Sequence, residues 1–373
     1  MELLRKTRVE IDLDALGHNV EVVRNALRPG VEMMAVVKAD AYGHGAANLC
    51  RYMMEYGVRR FAVAALNEAV ELRRALPEAE VLVLGVTPDE LLPVAAENRI
   101  TQTVFSFRQA KILSDCGVNA KVHLKLDTGM HRLGFVPNEA SLAEVARIFA
   151  LPSLEIEGIY SHLALTDHEH DLLQFRRFTE FTDAMAERGM RVRFRHICDG
   201  IGTVRYPEMQ LDMVRPGAAF YGFNASLPVR PIMTFKSVVG RVHTVPAGDG
   251  VGYDMLEPAD HDRVIATLPF GYSDGCPRAM SHGAGYLTVH GQRARYIGLL
   301  CMDMCMVDVT GIENVCEGDE VVIFGSGEQD MTFPAAAGIC GFNRNGLQSN
   351  IARRVPRVYL RGGEVVCARD YLL

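Results

Sequence analysis

The chain has 373 residues, of which 49% are hydrophobic and 23% charged, and its formal net charge is −7. This length corresponds to about two or three domains, and the apolar content excludes a mainly disordered protein. The acidic balance argues against nucleic acid as the main partner, and no apolar run reaches the ~20 residues that cross a membrane. The N-terminal stretch has no long apolar segment and the nine cysteines are scattered, so we expect a cytoplasmic protein with reduced thiols.

Short apolar runs alternate with helix-like stretches through roughly the first 230 residues. The runs predict strands buried on both faces at 33–37, 61–65, 81–86, 101–105, 122–125, 155–160, 193–197 and 213–220. Helical spacing of apolar residues predicts helices at 16–27, 46–56, 66–76, 90–97, 107–116, 141–150 and 172–188. Eight strands alternating with helices favour an N-terminal (β/α)8 TIM-type barrel, which we assign to residues 1–232.

The pattern changes after Pro231 to strands separated by glycine-containing turns. These strands are predicted at 236–245, 264–268, 285–289, 294–298, 304–309, 320–324 and 357–360, with one helix at 333–341. The chain is therefore predicted to be α/β plus β, with residues 233–373 forming a second, mostly β domain.

Lys38 follows the first barrel strand, at the end where barrel active sites form. Partial burial there would lower its pKa and give an amine that can form a Schiff base with an aldehyde. From its position alone, a surface lysine at a strand end is an equally good interpretation.

Segments 199–202 and 215–218 follow or overlap the seventh and eighth strands, where barrels commonly bind phosphate. Gly200, Gly202 and Gly217 allow backbone N–H groups to approach phosphate oxygens, although ordinary turns also contain such glycines. A lysine opposite a phosphate site points to pyridoxal phosphate, an aldehyde that carries a phosphate. Tyr253, in a polar loop of the second domain, could be a general acid or base or simply a structural tyrosine.

Nine short segments together resemble, in order and spacing, the alanine racemase family of fold-type III enzymes that use pyridoxal phosphate (PLP). They are 37–45 (VKADAYGHG), 125–134 (KLDTGMHRLG), 161–164 (SHLA), 214–217 (VRPG), 221–222 (YG), 252–253 (GY), 271–275 (GYSDG), 301–304 (CMDM) and 354–357 (RVPR). The resemblance spans essentially the whole chain. It implies an isomerase that interconverts L- and D-alanine, the D-alanine serving peptidoglycan synthesis in the bacterial cell wall.

The resemblance also implies catalytic roles. Lys38 would hold PLP as a Schiff base and act as the base on one face of the substrate Cα, and Tyr253 would act on the opposite face. The family supplies this tyrosine from the partner subunit, which implies a homodimer with shared active sites. Arg215 would face the pyridine nitrogen, which it does not readily protonate, and His162 would tune the pKa of Tyr253.

For the cofactor phosphate, the resemblance implies contacts from Tyr42, Gly217, Ala218 and the Gly200 backbone. The remaining site residues concern the substrate. Arg132 and the Met302 N–H would bind the substrate carboxylate, Tyr272 would line the substrate path, Asn345 would contact the substrate side chain, and Lys125, a candidate for carbamylation, would orient Arg132.

Two departures from the family pattern bear on cofactor and substrate. Asp199 and Gly200 stand where the family usually has Asn-Ser, so a phosphate-binding hydroxyl is missing. Asn345 replaces a tyrosine of the usual Asn-Tyr-Glu, as in racemases that accept serine. A serine racemase or a dual serine/alanine enzyme is therefore the alternative. A non-catalytic PLP-binding protein is a remote one, because such proteins generally lack a β domain with its tyrosine.

No resident metal is expected. Cys301 and Cys305 lie on an apolar strand without further ligands at zinc spacing. The charged segment 167–171 precedes a helix pattern and is interpreted as an N-capping loop.

Overall fold

The structure is a computed structural model that describes residues 3–373; the first two residues of the predicted domain 1–232 lie outside this range. The chain forms two compact units. The barrel unit contains Leu16–Ala41 and Ala46–Arg230, and the sheet unit contains Tyr42–Gly45, Pro231–Leu373 and the residues up to Ala15. The N-terminal segment groups with the sheet unit, unlike in the predicted division at 232, because strand β1 (Arg8–Asp12) pairs in that unit's sheet.

The barrel unit contains eight strands in one sheet, and all the neighbouring strands are parallel. In chain order they are β2 (Glu32–Val36), β3 (Arg60–Val63), β4 (Glu80–Val83), β5 (Thr101–Val104), β6 (Ala120–Lys125), β7 (Leu154–Tyr160), β8 (Phe194–His196) and β9 (Met213–Val214). The predicted eight-stranded parallel barrel is confirmed. Strand β9 is shorter than predicted, because Pro216 lacks an N–H and Gly217 begins a series of turns.

The barrel is nearly closed, and the seam lies between β8 and β9. Just beyond the two strands, the Arg215 N–H donates to the Cys198 carbonyl at 3.0 Å. Asp199 and Arg215 form an isolated parallel bridge at the same place. Two segments singled out in the sequence therefore meet at the seam.

The helices between the barrel strands follow the predicted order. They are α1 (Leu13–Asn25), α2 (Lys38–Tyr42), α3 (Ala46–Glu55), α4 (Leu66–Ala75), α5 (Leu92–Glu97), α6 (Phe107–Asp115), α7 (Glu139–Phe149), α8 (His168–Glu187) and α9 (Gly200–Arg205). The predicted cap at 167–171 is confirmed, since the Asp167 side chain accepts a hydrogen bond from the His170 N–H at 2.9 Å. Helices α2 and α9 were not predicted.

Helix α2 is a left-handed turn. Ala39, Asp40, Ala41 and Tyr42 have φ angles of 53° to 54°, a conformation that costs about 1–2 kcal/mol for each residue with a Cβ. Side chains stabilise this turn: the Ala46 N–H donates to Asp40 Oδ1 at 2.8 Å, and Glu68 accepts from the Ala39 N–H. The chain reverses immediately after β2, which leaves Lys38 at the carboxyl end of the strand.

The sheet unit is built on ten strands in the order β11-β12-β15-β14-β13-β16-β10-β1-β17-β18. The strands other than β1 are β10 (Met233–Val238), β11 (Arg241–Val245), β12 (Arg263–Leu268), β13 (Tyr286–Val289), β14 (Gln292–Ile297), β15 (Cys305–Asp308), β16 (Glu320–Phe324), β17 (Arg357–Arg361) and β18 (Glu364–Arg369). The predicted strand 236–245 is two strands, broken at Gly240. Helix α10 (Phe333–Cys340) was predicted, whereas α11 (Arg344–Ser349) and β18 were not.

None of the helices within residues 3–373 is long and apolar enough to cross a membrane.

Candidate active site

Five predicted site residues come together in the barrel unit. His162 lies close enough to Arg215, Arg132, Lys125 and Lys38 for all four positive charges to act on it. Burial first, and then these charges, lower the pKa of His162 to about 3. Its imidazole is therefore neutral at physiological pH and surrounded by cations, an environment that favours bound anions.

Arg215 is almost fully buried and held by several acceptors. Its Nη2 donates to the Ser161 carbonyl at 2.7 Å, to the Ile197 carbonyl at 3.1 Å and to His162 Nδ1 at 3.2 Å. Its Nη1 donates to His196 Nδ1 at 2.6 Å. A guanidinium with so many fixed partners is a rigid positive charge.

Lys125 ends strand β6 and is buried. Burial, followed by the charge of Arg215, lowers the pKa of this amine from 10.5 to about 7. The ammonium donates to the Leu126 carbonyl and lies 5.4 Å from the centre of the Tyr160 ring. At neutral pH an appreciable fraction of Lys125 is therefore an uncharged amine, whereas an exposed lysine is almost entirely charged.

Lys38 and Arg132 differ from Lys125 because both are exposed. The expected partial burial of Lys38 is not found, because its side chain is exposed where it follows the carboxyl end of β2. His131 precedes Arg132 with a φ of 56°, and its N–H donates to Asp127 Oδ1 at 2.9 Å. This tight turn fixes the loop that carries Arg132.

Gly200 and Gly217 are adjacent at the barrel seam. A Cβ added to Gly200 would lie 3.7 Å from the backbone nitrogen of Gly217, so the missing side chain leaves space beside these amides. Asp199 caps the following helix, its Oδ1 accepting from the N–H groups of Ile201 at 2.9 Å and Gly202 at 2.8 Å. Ala218, the residue after Gly217, is half-buried.

Tyr253 lies in the sheet unit and is 66% exposed. It follows Gly252, whose φ of 73° and ψ of −154° are suited to glycine; a Cβ there would also lie 2.9 Å from Met306 Cε. Asp254 and Met255 also have positive φ angles. This tightly wound loop presents the phenol to the surface of its unit.

Tyr272 and Met302, also in the sheet unit, lie on two loops that hydrogen-bond to each other. The Tyr272 N–H donates to the Cys301 carbonyl and the Ser273 N–H to the Met302 carbonyl, both at 3.1 Å. Both side chains are exposed. The structure therefore places these two predicted site residues on neighbouring loops of the sheet unit.

A buried carboxylate anchors these loops. Asp274 accepts from Arg5 Nη2 at 2.8 Å and from Arg354 Nε at 2.7 Å, and Arg354 also pairs with Asp303 at 2.8 Å. Burial acts to raise the pKa of Asp274, but the hydrogen bonds from the two arginines outweigh it and the pKa is lowered.

Tyr42 and Asn345 are the remaining predicted residues, and both are half-buried in the sheet unit. The Asn345 N–H donates to Asn343 Oδ1 at 2.9 Å, whereas Asn345 Oδ1 is buried and accepts no hydrogen bond from the described residues. Both polar atoms of the buried Gln348 side chain also lack partners within residues 3–373. This side of helix α11 offers unused donors and acceptors to a ligand or to water.

The sequence interpretation missed three buried polar residues behind Arg215: His196, His123 and Glu157. Each lies in a barrel strand. A histidine or glutamate at an inward position of a buried strand is itself a signal, because such groups are seldom buried without partners.

Comparisons with known proteins find similarity to alanine racemases along nearly the whole chain. The family model for the N-terminal domain of alanine racemase matches residues 11–225, and the model for its C-terminal domain matches residues 232–359. The alanine racemase of Clostridium tetani is 38% identical, with 99% of each chain aligned. That of Desulforamulus reducens is 40% identical over 94% of this chain and 98% of the relative.

Solved structures give the same result. The alanine racemase of Clostridium difficile superposes with a TM-score of 0.96 at 33% identity and covers both chains completely. That of Bacillus anthracis, described with bound L-Ala-P, has a TM-score of 0.93 at 31% identity and covers 100% of this chain and 99% of that chain.

Proposed function

The chain belongs to the alanine racemase family, and from that premise we propose that it interconverts L- and D-alanine with pyridoxal phosphate as its cofactor. The observation that carries the proposal is the cluster of basic side chains around the neutral His162, in which Arg215, Arg132 and Lys38 supply positive charge that suits an anionic cofactor and a substrate carboxylate. The serine racemase alternative is set aside, because the relatives and solved structures described above are alanine racemases. The non-catalytic alternative is also set aside, because the family's second domain is present.

The residues of the barrel unit fit the cofactor. Lys38 would hold its aldehyde, and the backbone amides beside Gly200, Gly217 and Ala218 would hold its phosphate in the space that the missing Gly200 side chain leaves. Arg215 would face the pyridine nitrogen. Tyr42, in the sheet unit, is proposed as a further phosphate contact. When bound, this cofactor withdraws electrons from the substrate Cα and so makes its proton acidic.

The protein's own groups would bind the substrate and move its proton. Arg132 and the Met302 N–H would bind the carboxylate, and Tyr272 and Asn345 would line the substrate pocket. Lys38 and Tyr253 would each carry a proton on opposite faces of Cα, so that removal on one face and return on the other inverts the centre. His162, held neutral, would accept a hydrogen bond at Nδ1 from Arg215 and orient the tyrosine.

We also propose that the active enzyme is a homodimer in which Tyr253 serves the barrel of the partner subunit. The exposed Tyr253, Met255, Met302 and Met304 support this proposal, because exposed large apolar side chains of one unit are typical of an interface.

The direct test is racemisation of L-alanine and L-serine, side by side, by the protein loaded with pyridoxal phosphate and followed by circular dichroism. We expect loss of the L-alanine signal to a racemic end point at a rate well above that on L-serine. A protein that binds the cofactor but racemises neither amino acid would contradict the proposal, and a faster rate on serine would reverse the choice of substrate.

Lys125 is predicted to be carbamylated. Above a pH of about 7 the amine is mostly neutral, so its nitrogen can attack the carbon of CO₂, form an N–C bond and release a proton. NMR with isotopically labelled bicarbonate should show a carbamate signal that grows as the pH rises through 7 and is absent in Lys125→Met. The control is Lys121→Met, four residues earlier on the same strand and exposed, which should retain the signal. A signal that persists in Lys125→Met would place the modification elsewhere.

Asp199→Asn is predicted to tighten binding of pyridoxal phosphate up to ~5-fold, because it removes a negative charge beside the proposed phosphate site and leaves the helix cap intact. The measurement is the dissociation constant of the cofactor by fluorescence titration of the apoprotein. Glu208→Gln, the same charge change at an exposed position nearby, serves as the control and should have no effect. Equal affinities of parent and Asp199→Asn would show that this carboxylate does not act on the phosphate.

A further inference from the structure

A continuous chain of buried hydrogen bonds runs from Arg215 across the barrel interior. Arg215 Nη1 lies 2.6 Å from His196 Nδ1, His196 Nε2 lies 2.8 Å from His123 Nδ1, and His123 Nε2 lies 3.2 Å from Glu157 Oε2. Both imidazoles are fully buried. The Tyr160 ring stacks on His196 with 4.9 Å between centroids and fixes the plane of that imidazole.

The two ends of the chain determine where every proton in it lies. The Arg215 guanidinium can only donate, so His196 Nδ1 must accept and the proton of His196 must be on Nε2. That proton is donated to His123 Nδ1, which leaves the His123 proton on Nε2 and directed at Glu157. A second proton on either imidazole would place two N–H groups face to face. This series of hydrogen bonds therefore accommodates only neutral imidazole rings.

The surroundings support the same assignment. Burial lowers the pKa of both His123 and His196, which keeps the rings neutral. Burial alone would raise the pKa of Glu157, but the hydrogen bond from His123 and the charge of Arg60 hold it at about 2. Glu157 is therefore a permanent acceptor at the far end of the chain, paired through Oε1 with Arg60 at 3.3 Å and Lys121 at 3.5 Å.

We propose that Glu157 is a positioning residue for Arg215, acting through the fixed tautomers of His123 and His196. Without an acceptor at position 157, the hydrogen-bonded series from Arg215 to His123 has two possible proton arrangements, and both are unfavourable. Either the His123 Nε2–H stays buried without a partner, or both rings change tautomer and His196 presents an N–H to Arg215. The second choice moves the guanidinium from the place where the cofactor ring would need it. The catalytic part of this inference rests on the proposed function, whereas the tautomer assignment does not.

The first test is NMR of the parent holoenzyme labelled at the histidine nitrogens. We expect both His123 and His196 to be neutral with the proton on Nε2 at neutral pH; His123→Asn and His196→Asn assign the two signals by their loss. A proton on Nδ1 of either ring, or a doubly protonated ring, would overturn the inference. This result is independent of activity, so a protein that fails to racemise alanine would refute the proposed function without deciding the tautomers.

The second test compares two replacements of Glu157. Glu157→Met removes the acceptor and should lower kcat about tenfold with the KM for alanine nearly unchanged, together with a second histidine tautomer in the spectrum. Glu157→Gln restores an acceptor oxygen to His123 and should keep both the tautomers and most of kcat. Both variants lose the charge that pairs with Arg60, so both should unfold at a lower temperature than the parent.

The matched control is Glu155→Met, two residues earlier on the same strand, which also contacts Lys121 at 3.5 Å; its side chain is 42% exposed, and no contact joins it to His123 within the described residues. It should leave kcat and the histidine signals unchanged. An equal loss of kcat in Glu157→Met and Glu157→Gln would show that the charge of Glu157, and not its accepting oxygen, matters. Unchanged kcat in Glu157→Met would also overturn the proposal.

Discussion

Lys38→Ala is expected to lower the rate of alanine racemisation by at least ~10⁴-fold, because it removes both the amine that would hold the cofactor and one of the two proposed bases. The left-handed turn after β2 presents this amine at the carboxyl end of a barrel strand, and no other residue of the turn offers an amine. Racemisation followed by circular dichroism gives the rate. The visible absorption of the covalently held cofactor should disappear together with the activity.

An added small primary amine should restore part of the activity of Lys38→Ala, because it replaces the lost proton carrier. Lys111→Ala is the control, an exposed lysine that pairs with Asp115 on helix α6, and it should behave as the parent does. Full activity of Lys38→Ala without any amine would remove Lys38 from the mechanism.

Tyr253→Phe is expected to lower kcat by about 10²–10⁴-fold with little change in KM, since the phenyl ring fills the same space but cannot carry a proton. The variant should still exchange the α-proton of one enantiomer with deuterated solvent, because the remaining base can remove and return a proton on its own face. Tyr286→Phe, on strand β13 of the same unit, is the control. Racemisation by Tyr253→Phe at the parent's rate would exclude this two-base mechanism.

Mixing the two inactive variants tests whether the tyrosine comes from the partner. If Lys38 and Tyr253 of one site belong to different subunits, a mixed dimer of Lys38→Ala and Tyr253→Phe subunits has one site with both residues intact. Random mixing should then restore about a quarter of the parent activity. If both residues came from one subunit, no mixed dimer would contain an intact site and mixing would restore nothing.

The barrel could be predicted from the sequence because its strands are short apolar runs separated by amphipathic helices, and this periodicity is local. The sequence could not predict that strand β1 belongs to the sheet unit. Its alternating residues indicate a strand, but only its pairing with β10 and β17, both distant in the chain, places it in the sheet unit. Helix α2 was missed for a different reason: four successive left-handed residues without a glycine have no propensity signal.

For the candidate site, the residues could be named mainly through their motifs, whereas their physical state required coordinates. The pKa of Lys125 near 7 arises from burial and from the charge of Arg215, ninety residues later in the chain. Lys38 is exposed, although its place directly after an apolar strand suggested partial burial. Glu157 belongs to none of the motifs, and its significance appears only when His123 on the neighbouring strand contacts it and links it to His196.

The seam of the barrel bears on how the protein acquires its site during folding. Arg215 lies at the closure between β8 and β9, and β9 pairs on its other side with β2, at the opposite end of the barrel sequence. Such non-local parallel pairing forms slowly, because the loop entropy is lost before the contacts are gained. Arg215, Gly200 and Gly217 therefore reach their positions only when the last strand docks. An unclosed barrel would have most of its core but would lack the part of the proposed cofactor site formed by Arg215, Gly200 and Gly217, so binding of the proposed cofactor would distinguish closed barrels from unclosed ones.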